Sequence, residues 1–463
     1  MIRFFRHYVP VSILLLVALE FALFFFASQY AARQFGPLAG PGTGTELAAL
    51  LRPWLFASVM TLIISLFGLY DGEWTRGLRS LLMRVGGGFA LALLVFATGA
   101  QLVPGLFARE EELLVVILIS GLGVLATRLA FLQWDSAESF KKRVLVLGTG
   151  SRAAKIEEMI ARGQAQGLNI VGYLPMGGTH HYVPHDRILD DSGSLLEIAQ
   201  RHGIEEIVVA IRERRGGGLP IAELLECKLA GVRIIDLPSF FERQTGILPL
   251  ESMNASWLIF AEGFYSGTAR DVVKRAFDLT VSAVLLLITL PLMLLTALAI
   301  KLDSPGPVFY TQQRVGQFGR IFTIYKFRSM RADAERDGQP QWARVNDDRT
   351  TRVGRFIRRT RIDELPQMIN VFLGQMSFVG PRPERPFFVQ ELSAQVPYYN
   401  ARHSLKPGIT GWAQVRYHYG GSVEDAIGKL QYDLYYVKNH SLFLDLMILL
   451  MTVQVVVSGK GAR

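Results

Sequence analysis

Four apolar blocks open the chain, at residues 9–30, 54–70, 85–104 and 113–133. Each is long enough for one helical crossing of a bilayer, at about 1.5 Å per residue. The first holds one charge, Glu20, and lacks the small-residue cleavage site of a secretory signal. It therefore reads as a retained span, with its acid facing a bundle interior. Basic residues mark alternate loops. Arg3 and Arg6 precede the first block, Arg76, Arg79 and Arg84 separate the second from the third, and Lys141, Lys142 and Arg143 follow the fourth. The loop before the fourth block sets Arg109 against Glu110, Glu111 and Glu112. The positive-inside rule then puts the N-terminus, the second loop and everything after residue 135 in the cytoplasm.

A fifth apolar block, residues 279–300, is uncharged. By length it is another span. Parity argues otherwise, because a fifth crossing would carry the rest of the chain outside. Both flanks are basic, with Arg270, Lys274 and Arg275 before and Arg314, Arg320 and Lys326 after. Pro291 lies inside the block, where proline breaks helices. The expectation is a helix–break–helix hairpin at about 275–302 that enters and leaves on one face, its broken backbone satisfied within protein. Residues 442–457 are apolar but for Asp445 and Gln454, too short for a span, and read as an interfacial or packed helix.

Between the fourth and fifth blocks the pattern changes to short apolar runs alternating with helical periodicity. KKRVLVLGTGSRAAKIEEMI is a strand, a glycine turn and a helix, with Gly148, Gly150 and Ala153 at dinucleotide-fingerprint spacing. Residues 169–174, 205–211 and 232–237 are further strands, with helices between 194 and 202 and between 220 and 230. Such alternation predicts a doubly wound parallel sheet. No acid closes the second strand to hold a ribose; Pro175, Met176 and Gly177 stand there, which favours a structural or regulatory domain over a nucleotide site.

Composition agrees with a membrane protein bearing soluble parts: 463 residues, 50% hydrophobic, 19% charged, mean hydropathy +0.27. A net charge of +9 admits three partners, nucleic acid, anionic lipid and phosphorylated small molecules. The lone Cys227 excludes an internal disulfide, and no Cys/His spacing fits zinc. His180, His181 and His185 read as an exposed loop.

The candidate chemistry concentrates in residues 361–386. Asp363 and Glu364 adjoin a run with six arginines and no acid: Arg349, Arg352, Arg355, Arg358, Arg359 and Arg361. Pro366 places the pair at or just before a helix start, an end whose free N–H groups favour anions. Arg314, Lys326, Arg328, Arg331, Arg382, Arg385 and Lys406 lie in or beside turns, with Gly316, Gly319, Gly380, Gly408 and Gly411 allowing close backbone approach. This mixture suits a diphosphate better than a nucleic acid.

KFRSM, IDELPQ, VGPRPERP and KPGITGWAQV occur in this order, and with them nearly the whole chain resembles the bacterial sugar transferases, the polyprenyl-phosphate phosphoglycosyl transferases. The resemblance is to the large, initiating members. It implies membrane α plus α/β architecture: a four-helix transmembrane region over 1–135, a Rossmann-like cytoplasmic domain over 140–250, and a mainly helical monotopic catalytic domain over 265–463. It also implies transfer of a sugar 1-phosphate from a UDP-sugar to polyprenyl phosphate, releasing UMP, with Mg2+, and leans to a hexose such as glucose. Asp363 would be the nucleophile. Glu364 would hold Mg2+ or manage protons, and Asp363 is also a ligand for the metal. Arg382, Glu384, Lys326, Arg328 and Arg314 would meet the nucleotide or phosphates. Expected partners are membrane lipid, a second copy of the chain and the glycosyltransferases that extend the product, with the catalytic domain on the cytoplasmic face of the bacterial inner membrane. Two positions depart from the pattern: Phe387, where an acid is common, and Met447, where a lysine is frequent. An NAD-dependent sugar-nucleotide dehydratase would need a Tyr-x-x-x-Lys pair in the C-terminal half, which is absent. A non-catalytic scaffold would not need the intact acidic pair.

Overall fold

The computed structural model describes residues 1–35, 45–70, 77–102, 110–136, 141–165, 167–176, 181–189, 193–211, 219–253, 255–264, 267–331, 349–417 and 422–458. Arg76, Arg109, Gly177 and His180, used above, lie outside them. Two compact units divide between Phe240 and Phe241, residues 5–7 belonging with the second.

The first unit opens with helices α1 (Val11–Phe35), α2 (Thr45–Leu66), α3 (Leu78–Leu102) and α4 (Glu110–Ser136). Three of them are long and apolar enough to cross a membrane; the apolar part of α2, Leu50–Leu66, is shorter. α1 packs on α2 and α4, and α3 on α2 and α4. Small residues permit the approach: Ala27, Ala57 and Ala92 are buried, and a Cβ on Gly123 would collide with Leu23. Glu20 faces the bundle interior, as expected, but it is not alone. Its carboxylate takes Arg128 of α4 at 3.0 Å, the Tyr70 hydroxyl at 2.8 Å and the Thr127 hydroxyl at 3.1 Å. Arg128 also donates to the Leu69 carbonyl at 2.6 Å. Both charges are fully buried. Arg128→Leu strands a buried carboxylate and is expected to destabilise the bundle by about 3–5 kcal/mol, whereas Arg128→Leu with Glu20→Leu recovers most of that. Thermal unfolding in detergent micelles reads the difference; equal loss in the single and double variants refutes the pairing.

The same unit holds a parallel sheet of β1 (Lys142–Leu147), β2 (Leu168–Leu174), β3 (Glu206–Val209) and β4 (Arg233–Asp236), in the order β2-β1-β3-β4. β1 and β3 lie centrally, which is why their residues run apolar without alternation. The helices Leu195–Arg201 and Ile221–Leu229 fall where the periodicity puts them. Gly148 leaves β1 with φ +109°, and the Thr149 carbonyl accepts from Tyr182 N–H at 2.8 Å. His181 touches the Thr149 hydroxyl at 2.9 Å, and no metal-binding group of His, Cys, Asp and Glu forms among the described residues.

The second unit begins at Phe241, ahead of the expected 265, because residues 242–253 belong to its core. Buried Glu242 pairs with Lys438 at 2.6 Å, and Leu248, Leu250 and Met253 join the cluster around Trp412 and Tyr435. The fifth apolar block lies in α5 (Thr268–Asp303), a single helix with Pro291 inside it. The expected break is therefore absent from the secondary structure. Proline removes one N–H, and the hydrogen bonds on either side carry the helix through. Both ends of α5 are fastened to this unit. Arg275 donates to the Val371 and Phe372 carbonyls near its start, and Asp303 accepts from Val353 N–H at its end. An antiparallel hairpin follows, β5 (Phe309–Val315) and β6 (Ile321–Phe327), then α6 (Arg352–Arg359) and α7 (Gln367–Phe372). β7 (Ser377–Val379) pairs in parallel with β8 (Gly408–Thr410), and α8 (Val423–Asn439) and α9 (Leu442–Ser458) complete the unit.

Candidate active site

α6 is capped by Thr351, whose hydroxyl accepts from Gly354 N–H at 2.9 Å. A side chain at 354 would collide with the Ser329 carbonyl, so this turn requires glycine. The chain then reverses through Arg361, a non-glycine residue at φ 60° and ψ 14°. Such a left-handed residue costs roughly 1–2 kcal/mol. The reversal sets Ile362–Glu364 on one 3-10 turn, with Pro366 next as the N-cap of α7. The acidic pair thus lies just ahead of a helix start, as expected.

What holds the pair is side chains from distant segments. Glu364 Oε1 accepts from Lys326 of β6 at 3.2 Å, Arg382 after β7 at 3.1 Å and Arg361 at 3.4 Å. Burial alone would raise the Glu364 carboxyl, but Lys326, Arg382 and Arg361 outweigh it and hold it well below the usual carboxylate range. Asp363 differs. Its Oδ1 is buried and accepts no hydrogen bond among the described residues. Burial first, and the adjacent Glu364 charge second, push its carboxyl up to about 6. The two neighbouring carboxyls are therefore set apart in acidity, Glu364 firmly ionised and Asp363 poised near neutrality.

Asn370, fully buried, fixes the pair against the hairpin. Its carbonyl accepts from Tyr325 N–H at 3.1 Å and its amide donates to the Thr323 carbonyl at 2.7 Å, so α7 serves as a lateral neighbour for β6 beside Lys326. The Arg382 loop has its own support. Arg402, paired with Asp433 at 2.7 Å, donates to the Arg382 carbonyl at 2.9 Å. Close backbone contact does the rest: Gly380 N–H donates to Thr410 and Gly408 N–H to Pro381, at a separation where a Cβ on Gly408 would collide with Gly380.

The other expected residues divide. Arg314, on β5, donates to the Pro383 carbonyl at 3.0 Å and faces Glu384 at 3.7 Å, so it braces the loop that carries Arg382 and Glu384. Arg328 is not brought to the acidic pair. It is buried, donating to the Ser304 and Pro305 carbonyls at 2.7 and 2.9 Å, and clamps the turn after α5. Nothing in the spacing of Asn370, Arg402 and Asp433 marks them in the sequence, since each acts across the fold.

Membrane-length helices and a bare buried carboxylate within fixed cations define a membrane protein whose site suits a phosphate-bearing anion. Residues 269–459 match the family described as bacterial sugar transferase. A UDP-glucose:undecaprenyl-phosphate glucose-1-phosphate transferase of Xanthomonas campestris pv. campestris is 32% identical over 89% of this chain and 88% of its own length. A UDP-N-acetylgalactosamine-undecaprenyl-phosphate N-acetylgalactosaminephosphotransferase of Aeromonas hydrophila is 38% identical over 61% of this chain and 65% of its own length. The exopolysaccharide production protein PSS of Rhizobium leguminosarum bv. phaseoli is 44% identical over 41% of this chain and 98% of its own. The chain belongs to the bacterial sugar transferase family.

Proposed function

We propose that the chain transfers a hexose 1-phosphate from a UDP-sugar to undecaprenyl phosphate, starting the assembly of a polysaccharide repeat unit that other glycosyltransferases extend. The observation that carries this is the unsatisfied Asp363 Oδ1 beside a Glu364 locked by Lys326, Arg361 and Arg382. The named activities of the relatives support the substrates.

In the proposed reaction the Asp363 carboxylate attacks the sugar-bearing phosphorus. The bond to UMP breaks, UMP leaves with its electron pair, and an aspartyl phosphosugar remains. An oxygen of the lipid phosphate then attacks that phosphorus, expelling the carboxylate and forming the lipid diphosphosugar. The covalent intermediate splits one difficult phosphoryl transfer between two anions into two easier steps. Lys326, Arg382 and Arg361 offset the repulsion between carboxylate and diphosphate, while Glu364 holds them in position.

Mg2+ fits these residues in a limited way. Asp363 Oδ1 offers free lone pairs, Glu364 Oε1 is already occupied by cations, and no third acid or histidine joins them among the described residues. That suits a cation bound by one or two carboxylates with phosphate oxygens and water completing its shell. When bound there it would neutralise charge on the diphosphate.

A panel of UDP-sugars with undecaprenyl phosphate tests the reaction; no UMP release with any hexose refutes it. The pH profile tests the nucleophile. Asp363 is raised to about 6 and reacts as carboxylate, so kcat/KM is flat above about pH 7 and falls about tenfold per unit below about pH 6. A profile flat down to about pH 4.5 refutes the assignment.

The reading includes α5 as a re-entrant element with the catalytic unit on the cytoplasmic face. Its two ends are fastened to one unit, its outer face is apolar at Leu287, Ile288, Leu294, Leu295 and Leu298, and Thr289 and Thr296 hydroxyls bond back to Leu285 and Leu292, which favours bending near Pro291. Reporter tags flanking α5 should label from the same side; opposite-side labelling refutes this.

A further inference from the structure

The hairpin of β5 and β6 closes at Gln317–Gly319, a single 3-10 turn. Phe318 sits in that turn at φ 55° and ψ 29°, left-handed backbone in a non-glycine residue. Gly319 beside it takes φ 77° without strain. The fold gains nothing from the ring in return, because the residue is 72% exposed. A bulky side chain held on strained backbone and kept out of the core calls for a partner outside the fold. Arg320 and Ile321 come next and are exposed as well. The tip therefore presents an aromatic ring, a cation and an aliphatic side chain together.

Its position narrows the partner. Gln317 donates to the Ser404 carbonyl at 3.0 Å, which fixes the turn to the second unit. Gln317 also shares a cavity of about 210 Å³ with Arg270, Val273 and Lys274, all on the first turns of α5. The tip thus stands beside the start of a helix long and apolar enough to cross a membrane. The outer face of α5 turns apolar at this level, with Val272 and Val273 exposed.

We propose that the hairpin tip is a second membrane contact of the catalytic unit, with Phe318 and Ile321 in the interfacial layer of the bilayer and Arg320 level with its phosphates. Interfacial elements combine these residue types: apolar side chains enter the boundary between headgroups and acyl chains, and arginine keeps its charge among the headgroups. Burial of the ring there offsets the strain of its backbone. The inference rests on α5 being a membrane element. It has a consequence for the site. β6 runs from Ile321 to Lys326, roughly 17 Å along the strand, so seating the tip sets the height of Lys326 above the surface that carries a lipid phosphate.

Spin labels on the full chain in nanodiscs of phosphatidylethanolamine and phosphatidylglycerol test this. The native cysteine, Cys227, is buried, so an introduced cysteine labels selectively. Three positions are compared: Phe318→Cys, Leu287→Cys on the apolar outer face of α5, and Glu158→Cys, a solvent-exposed reference in the parallel-sheet domain. Collisions with oxygen should exceed those with a water-soluble nickel chelate at 318 and 287, and the order should reverse at 158. Oxygen preference at 287 with nickel preference at 318 overturns the tip contact alone. Nickel preference at 287 overturns the membrane reading of α5 and this inference with it. Phe318→Gly, which removes the left-handed strain, should raise the unfolding midpoint in detergent by about 2–4 °C. A lower midpoint would assign the ring to the fold and overturn its outside role. Immobilisation of the 318 label by UDP-sugar in detergent would assign the ring to the substrate and overturn the lipid. If Phe318→Cys fails to fold, Ile321→Cys gives the same reading.

Discussion

Asp363→Asn is expected to lower turnover by on the order of 10⁴-fold or more and to abolish the covalent phosphosugar adduct. The amide matches the carboxylate in size but has no anionic oxygen to form the bond to phosphorus. Its effect on folding has the opposite sign. Burial and Glu364 raise the Asp363 carboxyl to about 6, above its unfolded value, so its protonated form is the one that suits the fold. That stabilisation is present at low pH and lost as pH rises through about 6, leaving the ionised group unfavourable at neutrality. A neutral asparagine removes the cost, and the unfolding midpoint should hold or rise at about pH 7.5. Loss of activity with retained or increased stability marks a functional residue rather than a structural one. Intact-mass measurement after incubation with UDP-sugar, beside thermal unfolding in detergent, reads both. Turnover above about one hundredth of the unsubstituted enzyme overturns the nucleophile.

The acidic pair was legible because its signal is local: two adjacent acids, a proline three residues on from the first, and arginines in the preceding helix. The strands β1 to β4 were legible for the same reason, being short apolar runs bounded by turn residues. Arg328 shows where such reading stops. It lies two residues after Lys326, and a continuing strand would put both on one face. β6 ends at Phe327, so alternation lapses and Arg328 turns back to the Ser304 carbonyl. Pro291 signals a break by its local effect, whereas the ladder on both sides decides whether a helix survives it. Glu20 and Arg128 are 108 residues apart, and Asn370 acts on a strand 45 residues earlier. Contacts of this kind are set by packing and leave no periodic trace.

Glu364→Gln separates the roles of the two acids. Glu364 Oε1 is the common acceptor for Lys326, Arg361 and Arg382, and its charge contributes to raising Asp363. The amide keeps the shape but leaves three cations facing a neutral oxygen. Breaking a buried charge cluster from one side costs about 3–5 kcal/mol, so the variant should unfold earlier. Asp363 then loses its anionic neighbour while keeping its cations, and its carboxyl moves down from about 6. The acid limb of kcat/KM should shift to lower pH. Turnover should still fall, by about 10²–10³-fold, because a less basic carboxylate is a poorer nucleophile and the cations lose their fixed aim at the diphosphate. A residue that merely supports the fold would lower activity without moving the limb. An unmoved limb with reduced kcat would therefore remove Glu364 from the electrostatics of Asp363. A shifted limb would show that the two acids differ in role because they share one set of cations unequally.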